Sequence, residues 1–194
     1  MAHLVLASAS PRRRELLTQA GFTFTVHPAD INEDVQPDED ATAYVTRLAR
    51  EKARKTFDDL NDAGAVVLGA DTSVVLDGEI LGKPVDAADA ARMLVALSGR
   101  THRVITGVAV VSAGRVEVAA EVTGVRFRAV SAEEIAGYVA SGQPMDKAGA
   151  YGIQGLAAKW IPRIEGCYFN VVGLPLALVC AMLEEHDEGT GDGV

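Results

Sequence analysis

The sequence has little cysteine and little positive charge, and each shortage excludes a class of protein. Cys167 and Cys180 are the only cysteines, and together with the four histidines they show no metal-ligand spacing, which argues against a zinc or haem site. The 18 basic and 27 acidic residues leave a net charge of −9, which disfavours general binding to DNA or RNA phosphates. The sequence also lacks the basic start and apolar stretch of a secretory signal, so we expect a reduced, cytoplasmic location and no nucleic-acid partner.

Long apolar runs are also scarce. The longest, residues 171–183, is interrupted by Gly173 and Pro175 and falls short of the roughly 20 residues needed to cross a bilayer. We therefore interpret it as a buried helix and expect no membrane partner. With 194 residues and 48% hydrophobic positions, the chain can bury a core as one compact domain or as two closely packed lobes. We expect this domain to span residues 1–186, and residues 187–194 to form a disordered acidic tail.

What is present is a succession of strand-like and helix-like segments. Apolar and β-branched stretches predict strands at residues 4–7, 22–26, 66–68, 73–76, 79–81, 104–111 and 116–127. Capping residues and helical periodicity predict helices after Ser10, after Asp40, over residues 87–97, after Ser131 and over residues 175–185. This order predicts an α/β or α+β fold with a mixed sheet, and places Asp71 at or near a strand end.

Residues 8–14, Ser-Ala-Ser-Pro-Arg-Arg-Arg, concentrate phosphate-binding groups at the start of the first predicted helix. Two hydroxyls, three guanidiniums and the free amide groups of a helix N-terminus together favour a bound anion. The same residues are also consistent with a simple Ser10 cap and a solvated arginine face. The segment lacks the Walker A pattern, so a P-loop is excluded.

Two acidic positions are candidates for holding a water molecule or a metal ion. Asp71 follows an apolar strand in Gly-Ala-Asp-Thr, where it could act on a substrate or simply accept hydrogen bonds from turn amides. Glu33 lies in a loop rich in carboxylates, and Mg²⁺ prefers one or two such oxygen ligands together with substrate phosphates. Most of that loop is also consistent with solvated surface.

The remaining signals are a pair of lysines and a glycine-rich loop. Lys52 and Lys83 can each supply a point charge to a phosphate, although a single lysine indicates little. Residues 147–155 carry three glycines at regular spacing, which allows a ligand to approach the backbone closely. The loop does not match the dinucleotide-binding fingerprint, and no Gly-x-Ser-x-Gly motif of serine hydrolases is present. The arginines, lysines and carboxylates favour phosphate chemistry.

Taken together, six segments resemble motifs of the Maf-like family in order and spacing, over residues 4 to about 183. They are residues 6–13, residues 50–53 (Arg-Glu-Lys-Ala), residues 69–72 (Gly-Ala-Asp-Thr), residues 82–84 (Gly-Lys-Pro), Ser98-Gly99 with His102, and residues 147–155. The resemblance implies a two-lobed α/β fold with a mixed central sheet and flanking helices, similar to that of the inosine triphosphate pyrophosphatases. It also implies a nucleotide cleft between the lobes and a homodimer.

The resemblance further implies roles for the candidate residues. Asp71 matches the proton acceptor that activates water, and Glu33, with Asp71 as a second ligand, would hold Mg²⁺ or Mn²⁺. The residues that would line the triphosphate are Ser8, Arg13, Lys52 and Lys83. The positions that would select the substrate are Arg12, Thr72 and Gln154. The implied reaction is hydrolysis of a nucleoside triphosphate to the monophosphate and pyrophosphate.

Gln154 also bears on which base is preferred. Its amide offers a donor and an acceptor, complementary to the O4 and N3–H edge of uracil or thymine, so we expect dTTP and UTP as substrates. A similar subgroup that acts on 7-methyl-GTP has glutamate at this position, and that substrate remains an alternative. A nucleotide-binding regulator of septum formation is a second alternative. Cys167 stands where the dTTP/UTP subgroup has serine.

Overall fold

The structure is a computed structural model and describes residues 3–188. Within that range the chain forms a seven-stranded sheet with six α-helices. The elements are β1 (His3–Leu6), α1 (Pro11–Gln19), β2 (Thr25–Val26), α2 (Ala41–Leu60), β3 (Ala65–Leu76), β4 (Glu79–Leu81), α3 (Ala87–Leu97), β5 (Thr101–Ser112), β6 (Arg115–Arg126), α4 (Ala132–Ala140), β7 (Arg163–Glu165), α5 (Tyr168–Val172) and α6 (Leu176–Glu188). Two short 3-10 helices, Ala148–Ala150 and Leu156–Trp160, lie in the glycine-rich region.

The sheet is mixed, which confirms the predicted α/β class. Its strand order is β2-β1-β3-β5-β6-β7, with β4 paired to β3. Strand β1 runs parallel to β2 and β3, whereas the β3–β4 and β6–β7 pairs are antiparallel. No described helix combines the length and apolar character needed to cross a membrane.

Contacts divide the chain into two compact units. Unit 1 contains the residues up to Asp71, Thr106–Glu121 and the residues from Gly173 onward. Unit 2 contains Thr72–Ile105 and Val122–Val172. Strands β3, β5 and β6 each contribute residues to both units.

Helix starts follow the local sequence closely. Ser10 caps α1 by accepting a hydrogen bond from the Arg13 amide, and Pro11 occupies the first turn, as predicted. Ser131 and Glu134 form the predicted capping box of α4, in which each side chain accepts a hydrogen bond from the other residue's backbone amide. Such caps contribute about 1 kcal/mol each to helix stability, which explains why their signatures identify helix starts.

Two expectations about element boundaries were wrong. Asp71 lies inside the continuous strand β3, because Ala65–Leu68 pairs with β1 and Val74–Leu76 pairs with β4 on either side of it. The apolar residues 171–183 do not form one helix, because Gly173 adopts φ 130° and Pro175 has no amide hydrogen to donate, so α5 ends and α6 starts afresh. Helix α6 continues to Glu188, and the rest of the predicted tail, residues 189–194, lies outside the described residues.

In unit 1, helix α2 packs directly against strand backbone at two glycines. A Cβ atom on Gly69 would lie 2.2 Å from the Ala49 carbonyl oxygen, and one on Gly107 would lie 2.3 Å from the Val45 carbonyl oxygen. Both distances are far shorter than any normal contact, so only glycine allows the helix to approach β3 and β5 this closely.

We expect Gly107→Ala to lower the free energy of unfolding by about 1–3 kcal/mol, because the added methyl group must displace helix backbone. Gly137→Ala is the matched control, since a Cβ there meets nothing within 4 Å and the substitution suits a helix. It should stabilise the protein by about 1 kcal/mol. Urea unfolding of both variants measures the difference, and equal effects would contradict the close helix packing.

In unit 2, the core is built around aromatic rings that include a buried histidine. The Tyr151 hydroxyl and His102 Nε2 lie 2.7 Å apart and share a hydrogen bond. Phe127 packs edge-on against both rings, with centroid distances of 5.0 Å to His102 and 4.8 Å to Tyr151. Burial lowers the pKa of His102 to about 4, so the ring is neutral at neutral pH. His102 is therefore a buried, neutral member of this aromatic core.

This burial makes stability depend on pH. Because the folded state resists protonation of His102 while the unfolded state does not, the stabilisation is present above about pH 6.5 and is lost as pH falls toward about 4. We expect the free energy of unfolding of the wild type, relative to that of His102→Gln, to fall by about 3 kcal/mol as the pH drops across that window. Urea unfolding at several pH values measures it, and a difference that does not vary with pH would contradict the prediction.

Candidate active site

Five of the residues singled out in the sequence lie together in unit 1. They come from five separate parts of the chain, namely the loop after β1, helix α1, the loop before α2, helix α2 and strand β3. The five are Ser8, Arg13, Glu33, Lys52 and Asp71.

Lys52 is the centre of this group. Its Nζ atom lies 2.7 Å from Asp71 Oδ1 and 2.7 Å from Glu33 Oε1, so the two carboxylate oxygens are at most twice that distance apart. The Lys52 side chain is only 11% exposed. An ammonium group in this position offsets the repulsion between two negative charges held close together.

The position of Lys52 on α2 explains its burial. The buried residues of this helix recur at helical spacing and include Lys52 itself. Lys52 therefore lies within the buried stripe of the helix and not on its solvent-exposed side. A buried ammonium requires partners, and the two carboxylates supply them.

Arg13 connects the first helix to the strand that carries Asp71. Its Nη1 donates to the carbonyl of Ala70 at 2.8 Å and to Ser8 Oγ at 3.2 Å, while its Nε donates to the carbonyl of Gly173 at 2.8 Å. Burial lowers the pKa of the Arg13 guanidinium, and the nearby charge of Asp71 acts in the opposite direction. Arg13 thus fixes the backbone next to Asp71 while placing positive charge beside it.

Ser8 is buried and organises the turn into α1. Its Oγ accepts a hydrogen bond from the Ser10 amide at 3.2 Å as well as from Arg13. The hydroxyl therefore already accepts two hydrogen bonds, and its own proton is the group it can donate to a ligand oxygen. Arg12, in the first turn of α1, is partly buried beside this turn.

The other three predicted site residues, Thr72, Lys83 and Gln154, belong to unit 2. Lys83 and Gln154 are exposed, and their loops are joined because the Gly149 amide donates to the Gly82 carbonyl at 3.0 Å. Gly149 also abuts Val74, where an added Cβ would lie 2.7 Å from the valine side chain. Thr72 shares a face of β3 with Val74, so Thr72 and the loops that carry Lys83 and Gln154 are linked to the β3–β4 hairpin.

Sequence reasoning missed two further residues of this region, Tyr44 and Arg47. The Tyr44 hydroxyl donates to the Glu33 carbonyl at 2.8 Å, and Arg47 Nη2 donates to the Asp34 carbonyl at 3.0 Å. The spacing of four residues from Tyr44 through Leu48 to Lys52 places Tyr44 on the helix face of Lys52. That spacing was the available signal.

The donor set fits a hard divalent cation completed by substrate. Among the described side chains, residues 3–186, no group of three or more His, Cys, Asp or Glu is arranged to hold a metal ion. Glu33 and Asp71 nevertheless present two carboxylates close together, and Mg²⁺ is commonly held by one or two carboxylates plus substrate phosphates. The pair matches that arrangement.

Comparison with known proteins places these residues in a family. The family model described as Maf-like protein matches residues 3–186. A protein of Hahella chejuensis named dTTP/UTP pyrophosphatase is 53% identical, over 94% of this chain and 91% of the relative. Relatives with the same name are 55% identical in Moorella thermoacetica, over 94% of each chain, and 54% identical in Escherichia coli O157:H7, over 96% of this chain and 94% of the relative.

Among solved structures, the Staphylococcus aureus Ham1 protein is similar at a TM-score of 0.46 and 15% identity, over 64% of this chain and 71% of that one. This likeness is too distant to bear on function. The family match and the high identities are independent of it, and they cover nearly the whole described chain. The chain belongs to the Maf-like family.

Proposed function

We propose that the chain is a nucleoside triphosphate pyrophosphatase that hydrolyses dTTP and UTP to the nucleoside monophosphate and pyrophosphate. The observation that carries the proposal is the buried Lys52 ammonium, which bridges Asp71 and Glu33 at 2.7 Å each. Relatives more than half identical over nearly the full chain are named dTTP/UTP pyrophosphatase, which supports the same reaction here.

Asp71 is the general base. Lys52 contacts one carboxylate oxygen, Oδ1, and the other oxygen accepts the proton from an attacking water molecule. The water oxygen forms a new bond to the α-phosphorus, and the bond between that phosphorus and the oxygen bridging to the β-phosphate breaks. Pyrophosphate leaves with the bonding electrons, and the proton stays on Asp71 until it is released to solvent.

The cationic groups stabilise the charge that develops on the leaving pyrophosphate. Lys52 and Arg13 are held in place by their own contacts, so they need little reorganisation when substrate binds. Ser8 donates a hydrogen bond to a phosphate oxygen. Lys83, which is exposed on its loop, supplies a further charge to the triphosphate.

A divalent cation, Mg²⁺ or Mn²⁺, would be held by Glu33 and Asp71. When bound, it neutralises phosphate charge and helps align the triphosphate. Their shared contact with Lys52 brings the two carboxylates close enough to serve one ion. Two of the three N–H donors of the Lys52 ammonium point to these carboxylates, and the third is left for a phosphate oxygen.

Base selection falls to the loop of Gln154, together with Arg12 and Thr72. The Gln154 amide pairs its donor and acceptor with the O4 and N3–H edge of uracil or thymine. Two backbone amides fix the loop that carries it: the Gly149 amide donates to the Gly82 carbonyl at 3.0 Å, and the Gly152 amide donates to the Tyr138 hydroxyl at 3.3 Å. A fixed backbone lets a side-chain amide discriminate between bases.

We also propose a cytoplasmic location and a homodimer. Cys167 and Cys180 are both free thiols, which supports a reducing compartment. The homodimer follows from the family resemblance, and light scattering coupled to size-exclusion chromatography tests it.

We expect Asp71→Asn to reduce turnover by at least about 100-fold while nucleotide affinity stays within a few-fold, because the amide keeps the shape but cannot take a proton. Pyrophosphate release from dTTP and UTP and nucleotide titration calorimetry measure the two effects. The control is Asp77→Asn in the turn after β3, where the side chain is 70% exposed and asparagine tolerates the φ of 52°. Near-normal turnover in Asp71→Asn would show that Asp71 is not the general base.

We expect Gln154→Glu to lower kcat/KM for dTTP and UTP by about 10- to 100-fold relative to 7-methyl-GTP, because a carboxylate cannot donate to O4. Gln143→Glu adds the same charge to the same region and keeps the acceptor that Gln143 Oε1 offers to the Leu156 amide, so it is the control. Pyrophosphate release across dTTP, UTP, CTP, GTP and 7-methyl-GTP measures selectivity. Unchanged selectivity in Gln154→Glu would refute the pairing, and wild-type protein inactive on every nucleotide would favour a regulatory role.

A further inference from the structure

Glu33 reaches the site from a segment that has no regular structure. Residues 27–40 contain neither helix nor strand, and the Glu33 side chain is 54% exposed. Its carboxylate nevertheless lies 2.7 Å from the buried Lys52 ammonium. Binding that must order a flexible loop loses conformational entropy. A metal-binding side chain on such a loop is therefore effective only when other contacts already hold the loop in place.

Those contacts come from the first turns of α2, the helix that also carries Lys52. The Tyr44 hydroxyl donates to the Glu33 carbonyl at 2.8 Å, and Arg47 Nη2 donates to the carbonyl of the next residue, Asp34, at 3.0 Å. The Arg47 guanidinium also lies 5.7 Å from the centre of the Tyr44 ring, so the two side chains support each other. Glu33 is thus held through its backbone by the same helix that presents Lys52.

Arg47 also binds Glu39, near the C-terminal end of the loop. Its Nε and Nη2 atoms donate to Glu39 Oε1 and Oε2 at 2.6 and 2.8 Å, a two-point pairing with fixed geometry. Both side chains are shielded, at 11% exposure for Arg47 and 8% for Glu39, unlike an ordinary surface pair. Glu39 Oε2 further accepts the Gln36 amide at 3.0 Å, and the Arg47 hydrogen bond holds the pKa of Glu39 at about 2.

Glu51 provides an internal comparison. Its carboxylate lies 3.3 Å from Arg47 Nη1, but Glu51 is one turn along the same helix, so this contact does not connect the helix to the loop. Glu39 and Glu51 therefore contact one guanidinium, and only Glu39 connects it to the segment that bears Glu33.

We propose that Arg47, Glu39 and Tyr44 form a clamp that positions Glu33 to act with Asp71 as a ligand of the divalent cation. The clamp rests on the proposed function, because it deepens the role given there to Glu33. None of its three side chains touches the reacting atoms, so all three are positioning residues. Loosening the clamp weakens cation binding and leaves the proton-accepting role of Asp71 intact.

The test measures Mn²⁺ binding to the full-length protein without nucleotide, by electron paramagnetic resonance of free Mn²⁺. We expect Glu39→Gln to raise the Mn²⁺ Kd about 10-fold, as is usual when a group that orients a ligand is lost, and Glu51→Gln to leave it unchanged. Hydrogen exchange of the amides in residues 31–39 should be faster in Glu39→Gln but unchanged in Glu51→Gln. At saturating Mn²⁺, kcat for dTTP should stay within about 3-fold of wild type.

Tyr44→Phe provides a second variant if Glu39→Gln folds poorly, since it removes only the hydroxyl that holds the Glu33 carbonyl. It should raise the Mn²⁺ Kd and speed loop exchange in the same direction. If Glu39→Gln and Tyr44→Phe both match Glu51→Gln in Kd and exchange, while the wild type binds Mn²⁺ and turns over dTTP, the clamp is wrong and the proposed function stands. If the wild type neither binds Mn²⁺ nor turns over any nucleotide, the proposed function fails and the clamp fails with it.

Discussion

Two carboxylates brought within a few ångströms of each other repel, and the fold resolves this with one ammonium group. Lys52 reaches Asp71 on β3 and Glu33 on the preceding loop at the same distance, and its own burial is tolerable only because both are there. Each of the three charges thus depends on the other two. The loop of Glu33, the strand of Asp71 and the helix of Lys52 must therefore adopt their positions together.

Helix α2 is the element that holds these segments in position relative to one another. It presents Lys52 toward the strand, Tyr44 and Arg47 toward the loop, and backbone carbonyls toward glycines of two strands. Arg13 completes the arrangement from the other side by fixing the Ala70 carbonyl, one residue before Asp71. Charge, hydrogen bonding and close packing thus converge on a stretch of a few residues in β3.

Local rules predicted the parts of the fold that local interactions determine. The bounds of α3 and the caps of α1 and α4 follow from cap residues and helical periodicity. These signals depend only on residues that are close in sequence. The position of Asp71 within β3 was missed because two different partner strands stabilise the two halves of that strand. The predicted start of the last helix near residue 175 agrees with α6, whereas the apolar run 171–183 is not one helix because Gly173 and Pro175 interrupt it.

The candidate site was likewise predicted only in part. The residue types pointed to phosphate chemistry, and the family resemblance gathered Ser8, Arg13, Lys52 and Asp71 into one site. The partners of Arg47 were not predictable, since Glu39 and Asp34 meet it only after the loop folds back onto the helix. The contact of Arg13 with Gly173 joins positions 160 residues apart, a separation that no local pattern reports.

The glycine contacts of α2 bear on how the site responds to change elsewhere in the core. Gly69 lies two residues before Asp71, and the helix residues against it, Ala49 and Ala53, flank Lys52. Here main chain rests on main chain, with no long side chain between them whose rotamer could alter the spacing. The separation of the backbone segments that carry Lys52 and Asp71 is therefore set by this close contact. Core substitutions away from this contact can lower the melting temperature substantially while the surviving folded molecules keep the two groups in register.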